Sequence, residues 1–200
     1  MTGTQCQSER EVYTIGHSNH DLDRFVGLLK QHGIRLVIDT RSSPFSRFSP
    51  QFNREVLCAK LPALNVDYDF LGQTLGGRPK SSEFYDADGR ALYWRIAQTA
   101  EFSQAIDEII AQASTLRLAL LCSEEDPRDC HRRLLVGRVL AERGIRIRHI
   151  RGDGSLQTEE EVARGLTTSE PLLFSVDEVR EWKSIRSVLE RRPQNSFSER

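Results

Sequence analysis

The sequence predicts a single α/β domain built on a mostly parallel sheet of about five strands, with helices on both faces and a short mixed C-terminal tail. Two observations lead to this prediction. Short apolar runs alternate with segments of helical periodicity, and this alternation is typical of parallel strands joined by crossover helices. In addition, 200 residues, of which 38% are hydrophobic, suffice for one medium-sized domain with a sizeable buried core.

The first two strand–helix units lie in the N-terminal third of the chain. A short apolar strand at 12–15 is followed by a helical pattern that begins at Leu22 and ends at Gly33. The next strand spans 34–39. A loop rich in Ser and Pro then leads to a helix at about 51–61. We therefore expect long loops to leave the carboxyl ends of these strands.

Three further strands complete the predicted sheet. They lie at 66–71, 116–122 and 146–150. The fourth is apolar enough to be central in a sheet covered on both faces, and residues 91–113 before it are predicted to be helical in two pieces. After it, Asp126 is suited to cap a helix and Pro127 to occupy its first turn.

The core domain is predicted to span residues 11–155. Residues 1–10 are polar and are predicted to be disordered, residues 156–190 to form a helical extension, and residues 191–200 to be a disordered tail. The N-terminus lacks the basic start and apolar stretch of a secretory signal, so we expect a cytoplasmic protein. The four cysteines should then stay reduced, and each thiol is a candidate ligand, nucleophile or core residue.

Composition and charge limit the functions that the chain can have. No apolar run approaches the roughly 20 residues of a membrane-spanning helix, so we expect no membrane partner. The formal net charge of -1 argues against a surface that is basic throughout and leaves local patches open. Of the 28 basic residues four are Lys, so 24 are Arg. Codon bias explains such a surplus, as does recognition of anions by planar guanidinium groups.

Reactive side chains follow each of the first four predicted strands. Loops at the carboxyl ends of parallel strands share one edge of the sheet, where ligands bind. The residues expected at this edge are His17 and Ser18 after the first strand, Asp39, Arg41 and Ser43 after the second, Gly76, Gly77 and Arg78 after the third, and Cys122, Glu124, Cys130, His131 and Arg132 after the fourth.

Three chemistries are open to these residues. In the first, Cys122 is a thiolate nucleophile with His17 or His131 as its base. In the second, a divalent metal ion is held by Cys122, Cys130 and either His131 or His17, with Glu124 as a further candidate, although the spacing of Cys122, Cys130 and His131 matches no standard zinc motif. The third is a pocket without catalysis, in which arginines bind phosphates and aromatic rings stack on bases. Its candidates are Arg41, Arg47, Arg78, Arg132, Arg151, Phe45, Phe48 and Tyr85.

Four separated motifs carry a resemblance to a known family. They are Thr14-Ile-Gly-His-Ser18, Asp39-Thr-Arg41 with Pro44 and Ser46, Leu75-Gly-Gly77, and Leu121-Cys-Ser-Glu124 followed by Cys130-His-Arg132. Over roughly residues 12–153 the chain resembles the bacterial and archaeal family known as domain of unknown function 488. Thr40 replaces the usual Val of the second motif. The resemblance implies a common site and transfers no reaction, because the family's activity is not established. It identifies His17, Ser18, Asp39, Arg41, Pro44, Gly76, Gly77, Cys122, Glu124, Cys130, His131 and Arg132.

We therefore expect a hydrolase or transferase that acts on an anionic substrate bearing a phosphate or a nucleotide. His17 or His131 moves a proton, Cys122 is nucleophile or metal ligand, and Asp39 and Glu124 orient their neighbours. The substrate-binding residues are Ser18, Arg41, Ser43, Gly76, Gly77, Arg78 and Arg132. One alternative is a module that binds nucleic acid or another partner without catalysis. The other is a metal-dependent enzyme whose ligands are Cys122, Cys130 and His131.

Overall fold

A six-stranded sheet forms the centre of the part of the chain that the computed structural model describes, residues 10–164 and 182–188. Its strands are β1 (Glu11–Gly16), β2 (Leu36–Asp39), β3 (Asp67–Phe70), β4 (Leu118–Cys122), β5 (Arg146–Ile150) and β6 (Leu156–Thr158). They are ordered β3-β2-β4-β1-β5-β6, and every neighbouring pair is parallel except β5 and β6. The predicted α/β class is confirmed. The sixth strand exceeds the expected number because three residues are too few for a periodic signal.

Helices connect the strands and cover the sheet. The α-helices are α1 (Leu22–Gln31), α2 (Arg54–Lys60), α3 (Gly72–Leu75), α4 (Tyr93–Ala97), α5 (Ala100–Ala113), α6 (Arg138–Glu142) and α7 (Glu159–Arg164). A π-helical segment, Arg132–Gly137, runs directly into α6. Short 3-10 turns lie at Pro50–Phe52, Pro62–Leu64 and Ser82–Phe84. Within these described helices, none is long and apolar enough to cross a membrane.

The two faces of the sheet each bury a separate core, which places helices on both faces as predicted. Alternate residues of a strand point to opposite faces. In β4, Leu120 packs into the core that holds Phe102 of α5, whereas Leu121 packs into the core that holds Phe25 of α1. All five residues of β4 are buried, so this strand is the doubly covered centre that its apolar sequence indicated.

The helical segment after β4 begins later than its sequence suggests. Asp126 does not cap a helix at Pro127. Its Oδ1 instead accepts a hydrogen bond from the Arg128 amide at 2.9 Å, and its Oδ2 accepts from the guanidinium of the same residue. A turn then closes where the Cys130 amide donates to the Pro127 carbonyl at 3.2 Å. Helical structure starts at His131, so Cys130 and His131 lie at its beginning, close to the end of β4.

The described C-terminal segment, residues 182–188, lies along residues 89–94 without helical structure. The Ser184 amide donates to the Ala91 carbonyl at 2.8 Å, and the Val188 amide donates to the Gly89 carbonyl at 2.9 Å. The segment 156–190, predicted to be a helical extension, therefore contains β6 and α7 in addition to this non-helical stretch. Residues 1–10 and 191–200 are predicted to be disordered, and all of them except Arg10 lie outside the described residues. Residues 165–181 lie outside them as well.

A buried polar chain joins the sheet to α7 through His149. The Thr14 hydroxyl oxygen accepts a hydrogen bond from Arg132 Nε at 3.3 Å and lies 2.8 Å from His149 Nδ1. His149 Nε2 is 3.1 Å from a carboxylate oxygen of Glu159. These partners fit a neutral ring that accepts at Nδ1 and donates at Nε2. Burial lowers the pKa of His149 below its ordinary value of 6.5, although Glu159 opposes this effect.

We predict that replacing His149 by Gln reduces the acid sensitivity of the fold. Because the folded pKa is lowered, the unfolded chain takes up the proton first as the pH falls. The stability that the neutral ring contributes is present above about pH 6.5 and is lost below it, towards the folded pKa. The free energy of unfolding, measured in urea from about pH 8 to about pH 5 so as to span that window, should show a flatter pH dependence for His149→Gln. Parallel curves for the two proteins would contradict this account.

Candidate functional site

The candidate site lies where β1 and β4 end side by side. After β1 the chain crosses to β2, which lies on one side of this strand pair. After β4 it crosses to β5, which lies on the other side. Such a reversal opens a crevice at the carboxyl ends of the strands. The loops after the two strands are joined there, since the His17 amide donates to the Cys122 carbonyl at 3.0 Å and the Ser18 amide donates to the Ser123 carbonyl at 2.9 Å.

Gly16 permits this close approach of the two loops. A Cβ atom at Gly16 would lie 1.8 Å from the Glu124 carbonyl oxygen, which is far inside van der Waals contact. Ser18 follows with a φ of 47°, a left-handed conformation that non-glycine residues seldom adopt. Gly16 and Ser18 of the Thr14–Ser18 motif are therefore explained by backbone packing against the Cys122 loop.

A cavity of about 280 Å³ opens in front of the β4 loop. Eight residues that the sequence placed at the site line it: Arg41, Ser43, Gly77, Arg78, Cys122, Glu124, Cys130 and His131. Five others that the sequence proposed do not line it: His17, Ser18, Asp39, Gly76 and Arg132. The structure therefore divides the predicted residues into a group at the cavity and a group that lies behind it.

Cys122, Cys130 and His131 form a cluster on the cavity wall. One potential ligand atom of each lies within 4.8 Å of the others. His131 Nε2 lies 2.9 Å from the Thr40 carbonyl oxygen. Because a carbonyl only accepts, this nitrogen carries the proton, and Nδ1 faces the sulfurs with its lone pair when the ring is neutral. The distances from Nδ1 are 3.6 Å to Cys122 Sγ and 4.0 Å to Cys130 Sγ.

The ionisation of this cluster is strongly coupled. A hydrogen bond from Cys130 and the nearby His131 hold the pKa of Cys122 well below its usual value, although burial opposes them. Burial and the neighbouring Cys122 raise the pKa of Cys130 well above its usual value. Loss of hydration lowers the pKa of His131, but the charge and hydrogen bond of Cys122 outweigh this effect and raise it. Without a bound cation, Cys122 is therefore the thiolate of the pair.

Glu124 adds a carboxylate to the cluster. Its Oε2 is 3.0 Å from Cys122 Sγ. Partial burial, followed by the charge of Cys122, raises the pKa of Glu124. Asp129 lines the same cavity. One wall of the cavity thus holds two thiols and two carboxyl groups.

His17 belongs to a buried network behind the cavity. Arg41 donates to Asp39 through Nε at 2.9 Å and Nη2 at 2.6 Å, and its Nη1 lies 3.1 Å from His17 Nε2. His17 Nδ1 lies 2.8 Å from the Ser18 carbonyl, so Nδ1 carries the ring proton and Nε2 accepts from Arg41. Burial, with a further contribution from Arg41, lowers the pKa of His17. The ring also stacks on Phe52 at a centroid distance of 4.4 Å.

Arg132 is fully buried and donates all its hydrogen bonds to protein atoms. Its Nη1 donates to the Glu124 carbonyl, its Nη2 donates to the Glu125 carbonyl at 2.7 Å, and its Nε donates to Thr14. The two carbonyls belong to the loop that leaves Cys122. The guanidinium that the sequence assigned to substrate binding therefore lies beneath this loop and holds its shape.

Two glycines allow the loop after α3 to pack on the site. A Cβ at Gly76 would lie 2.3 Å from the Gly72 carbonyl oxygen and from Ser42 Oγ. A Cβ at Gly77 would lie 2.7 Å from His131 Cβ. Both glycines are thus required for close packing in this structure, and Gly77 determines how near the loop comes to the imidazole.

Five residues that the sequence did not assign to the site also line the cavity: Ser42, Tyr93, Ser123, Asp129 and Val188. Tyr93 lies in α4, inside a stretch that carries only helical periodicity, and burial raises the pKa of its hydroxyl. Val188 reaches the cavity through the segment that lies along residues 89–94. The sequence held a usable signal for Ser42, Ser123 and Asp129, because these three lie within the motifs or directly beside them.

Comparison with known proteins identifies a family. The family described as "Domain of unknown function DUF488" matches residues 21–139, which include the second, third and fourth motifs. The Thr14–Ser18 motif lies before the matched range. No curated protein and no solved structure matches the chain. The predicted family resemblance is confirmed.

We predict that Gly77→Ala destabilises the fold and disturbs the cluster. The new methyl group would overlap His131 Cβ, so the loop or the imidazole must move. Overpacking of this kind costs about 1–3 kcal/mol. Urea unfolding gives the stability, and the alkylation rate of Cys122 reports the displacement of His131.

Gly27→Ala is the matched control. Gly27 lies on the exposed side of α1, and a Cβ added there would have no neighbouring atom within 4 Å. Replacing an exposed helical glycine by alanine stabilises a protein by up to about 1 kcal/mol. Equal stability changes for the two variants would refute the packing role of Gly77.

Proposed function

This chain belongs to the DUF488 family, and from its site we propose that it is a hydrolase or transferase acting on a small anionic substrate. The observation that carries the proposal is one cavity whose lining combines two kinds of group. A cysteine–histidine cluster supplies the reactive groups, and Arg78 offers a guanidinium.

Arg78 is the best candidate for binding the anion. Its side chain is exposed on the cavity wall, and no ion pair engages it among the residues that the structure describes. Its amide donates to Ser42 Oγ at 2.9 Å, which fixes the backbone of the loop. By contrast, Arg41 and Arg151 are bound to Asp39 and Glu125. Arginine binds phosphate and carboxylate through two parallel hydrogen bonds.

The remaining motif residues take positioning roles in this proposal. Arg132 supports the loop after Cys122, and Arg41 with Asp39 and His17 supports the loop after β2. The general acid–base function moves to His131 and Glu124, because these groups line the cavity with Cys122. In this proposal His17 helps to orient the buried network and transfers no proton.

The size of the cavity favours a small ligand. Pockets that enclose drug-sized molecules span about 300–1,000 Å³, so about 280 Å³ fits a phosphate-bearing head group or a compact metabolite. We propose that such a substrate enters with its anionic group towards Arg78 and its reacting bond towards Cys122. We further propose a cytoplasmic location, in which the thiols stay reduced.

We predict that Arg78→Ala weakens the binding of phenyl phosphate, or raises the KM for 4-nitrophenyl phosphate, roughly 10- to 100-fold. Hydrogen bonds to charged groups contribute about 1.5–3 kcal/mol. Calorimetric titration and release of nitrophenol measure the two quantities. Arg35→Ala is the control, because it removes the same charge at a distant position. Arg35 is exposed before β2, at the opposite edge of the sheet.

The two variants decide the assignment. Loss of affinity in Arg78→Ala with unchanged affinity in Arg35→Ala supports the proposed site. Equal losses in both variants would show that only net charge matters. No binding of phosphate monoesters, sulfate monoesters or carboxylates by the wild-type protein would overturn the proposed substrate class.

A nucleic-acid-binding role is the second candidate, and one observation favours it. Phe45 and Phe48 are 64% and 95% exposed on the loop after β2, and Arg47 lies between them with no carboxylate partner among the described residues. Exposed aromatic rings beside a cation are suited to stack on unpaired bases.

We predict that Phe48→Ala weakens any binding of single-stranded oligonucleotides, since one stacked base contributes about 1–3 kcal/mol. Fluorescence anisotropy at increasing salt concentration checks this, because neutralised phosphates release counterions and binding then falls with salt. Binding that is absent, or that neither salt nor Phe48→Ala changes, would count against this second candidate.

A further inference from the structure

We propose that Cys122, Cys130 and His131 bind one zinc ion and leave its fourth coordination position open to the cavity. The inference deepens the proposed function, on which it rests, because it identifies the reacting group as a water held on the metal. His131 then serves as a ligand, and Glu124 alone carries the acid–base function. Three protein ligands with one open position are the usual arrangement of catalytic zinc, whereas structural zinc has four protein ligands.

The spacing of the three ligand atoms fits zinc. Zinc–sulfur bonds of about 2.3 Å and zinc–nitrogen bonds of about 2.0 Å place tetrahedral sulfur and nitrogen ligands about 3.5 Å apart. Cys122 Sγ lies 3.6 Å from His131 Nδ1, and Cys130 Sγ lies 4.0 Å from it. All three ligand atoms lie within 4.8 Å of one another, so modest side-chain shifts bring them to bonding distance from one point.

The orientation of His131 is that of a metal ligand. Histidines that bind metals usually donate the hydrogen of the other ring nitrogen to a carbonyl or carboxylate. Here Nε2 donates to the Thr40 carbonyl at 2.9 Å, which directs the lone pair of Nδ1 towards both sulfurs. Gly77 packs against His131 Cβ and restricts the position of the ring further.

The charges around the cluster call for a cation on the cavity side. Cys122 and Cys130 are buried, and the Glu124 carboxylate lies 3.0 Å from Cys122 Sγ. Asp129 lines the same cavity and pairs with Arg186 at 3.2 Å. Arg132 supplies one positive charge beside the thiols, and it also donates to two carbonyls and a hydroxyl. A divalent ion would neutralise two thiolates and reduce the repulsion of an incoming anion.

The second thiol favours a metal over a single-cysteine nucleophile. A Cys122–His131 pair would suffice for nucleophilic attack, with Cys130 only as a hydrogen-bond donor to the thiolate. Two thiolates with one imidazole are a donor set that zinc prefers. A metal ion uses all three groups as direct ligands, which a single-cysteine nucleophile does not.

The site would hydrolyse its substrate with a water molecule bound to the zinc ion. Zinc lowers the pKa of its bound water to about 7, and this water transfers a proton to the Glu124 carboxylate. The hydroxide oxygen forms a bond to the electrophilic centre of the substrate while the bond to the leaving group breaks. Protonated Glu124 then gives its proton to the leaving group. Arg78 holds the anionic part of the substrate throughout.

Metal analysis of the full-length chain, purified without a tag, tests the proposal. We expect about one zinc ion per chain. Exchange for cobalt(II) should give intense absorption in the red region, typical of a tetrahedral site, and a near-ultraviolet thiolate-to-cobalt band. Cys130→Ser and His131→Asn should each lower the zinc content and the cobalt absorption. Cys58→Ser is the control, since Cys58 is exposed and lies outside the cluster.

Alkylation of the wild-type protein gives a readout that does not depend on the folding of variants. Zinc should slow the modification of Cys122 and Cys130 and leave Cys58 unaffected. Absence of metal together with equal alkylation rates with and without zinc overturns the site. Zinc content that is unchanged in Cys130→Ser and His131→Asn overturns the ligand assignment. Stoichiometric iron or copper in place of zinc overturns the choice of ion.

Glu124→Gln tests the open position. Retention of zinc with a loss of hydrolysis supports Glu124 as the base, whereas loss of zinc shows that Glu124 is the fourth ligand and overturns the open position. The failure of this proposal is distinguishable from that of the proposed function. Protein free of zinc that still binds phenyl phosphate through Arg78 refutes only the metal site, and zinc-loaded protein without any affinity for anions refutes only the substrate class.

Discussion

The buried guanidinium of Arg132 holds the loop between β4 and the following helical segment. It donates to the carbonyls of Glu124 and Glu125 and to the hydroxyl of Thr14 in β1. A buried charge is tolerated only where its hydrogen bonds are complete, and here the donors meet fixed acceptors. Because the loop starts at Cys122 and leads to His131, the distance between thiol and imidazole depends on this one side chain.

A second buried arginine performs the same task on the neighbouring strand. Arg41 binds both oxygens of Asp39 and the ring of His17, and it also donates to the Phe52 carbonyl at 2.8 Å. This pair fixes the start of the loop whose Thr40 carbonyl orients His131. The two arginines therefore preorganise the cluster from two strands, and they leave Arg78 on the third loop to meet a ligand.

The central part of the fold could be predicted from the sequence because its signals are local. The doubly covered strand β4 appears as an apolar run, and α1 follows its side-chain cap at Asp21. Two features could not be predicted. The three residues of β6 are too few to show a period, and Asp126 fitted the rules for a helix cap although Arg128 competes for its carboxylate. In the first case the signal is too short to detect, and in the second a contact between particular groups overrides a statistical preference.

By itself, the sequence determined which residues share one edge of the sheet, since parallel strands deliver their loops to the same side. That rule brought Cys122, His131 and Arg78 together without any coordinates. Only the tertiary structure decided which arginine faces the cavity and which lies beneath it. The physical reason is that a guanidinium turns towards whichever hydrogen-bond acceptors surround it in the folded chain. One acceptor of Arg132 is the hydroxyl of Thr14, which is distant in the sequence.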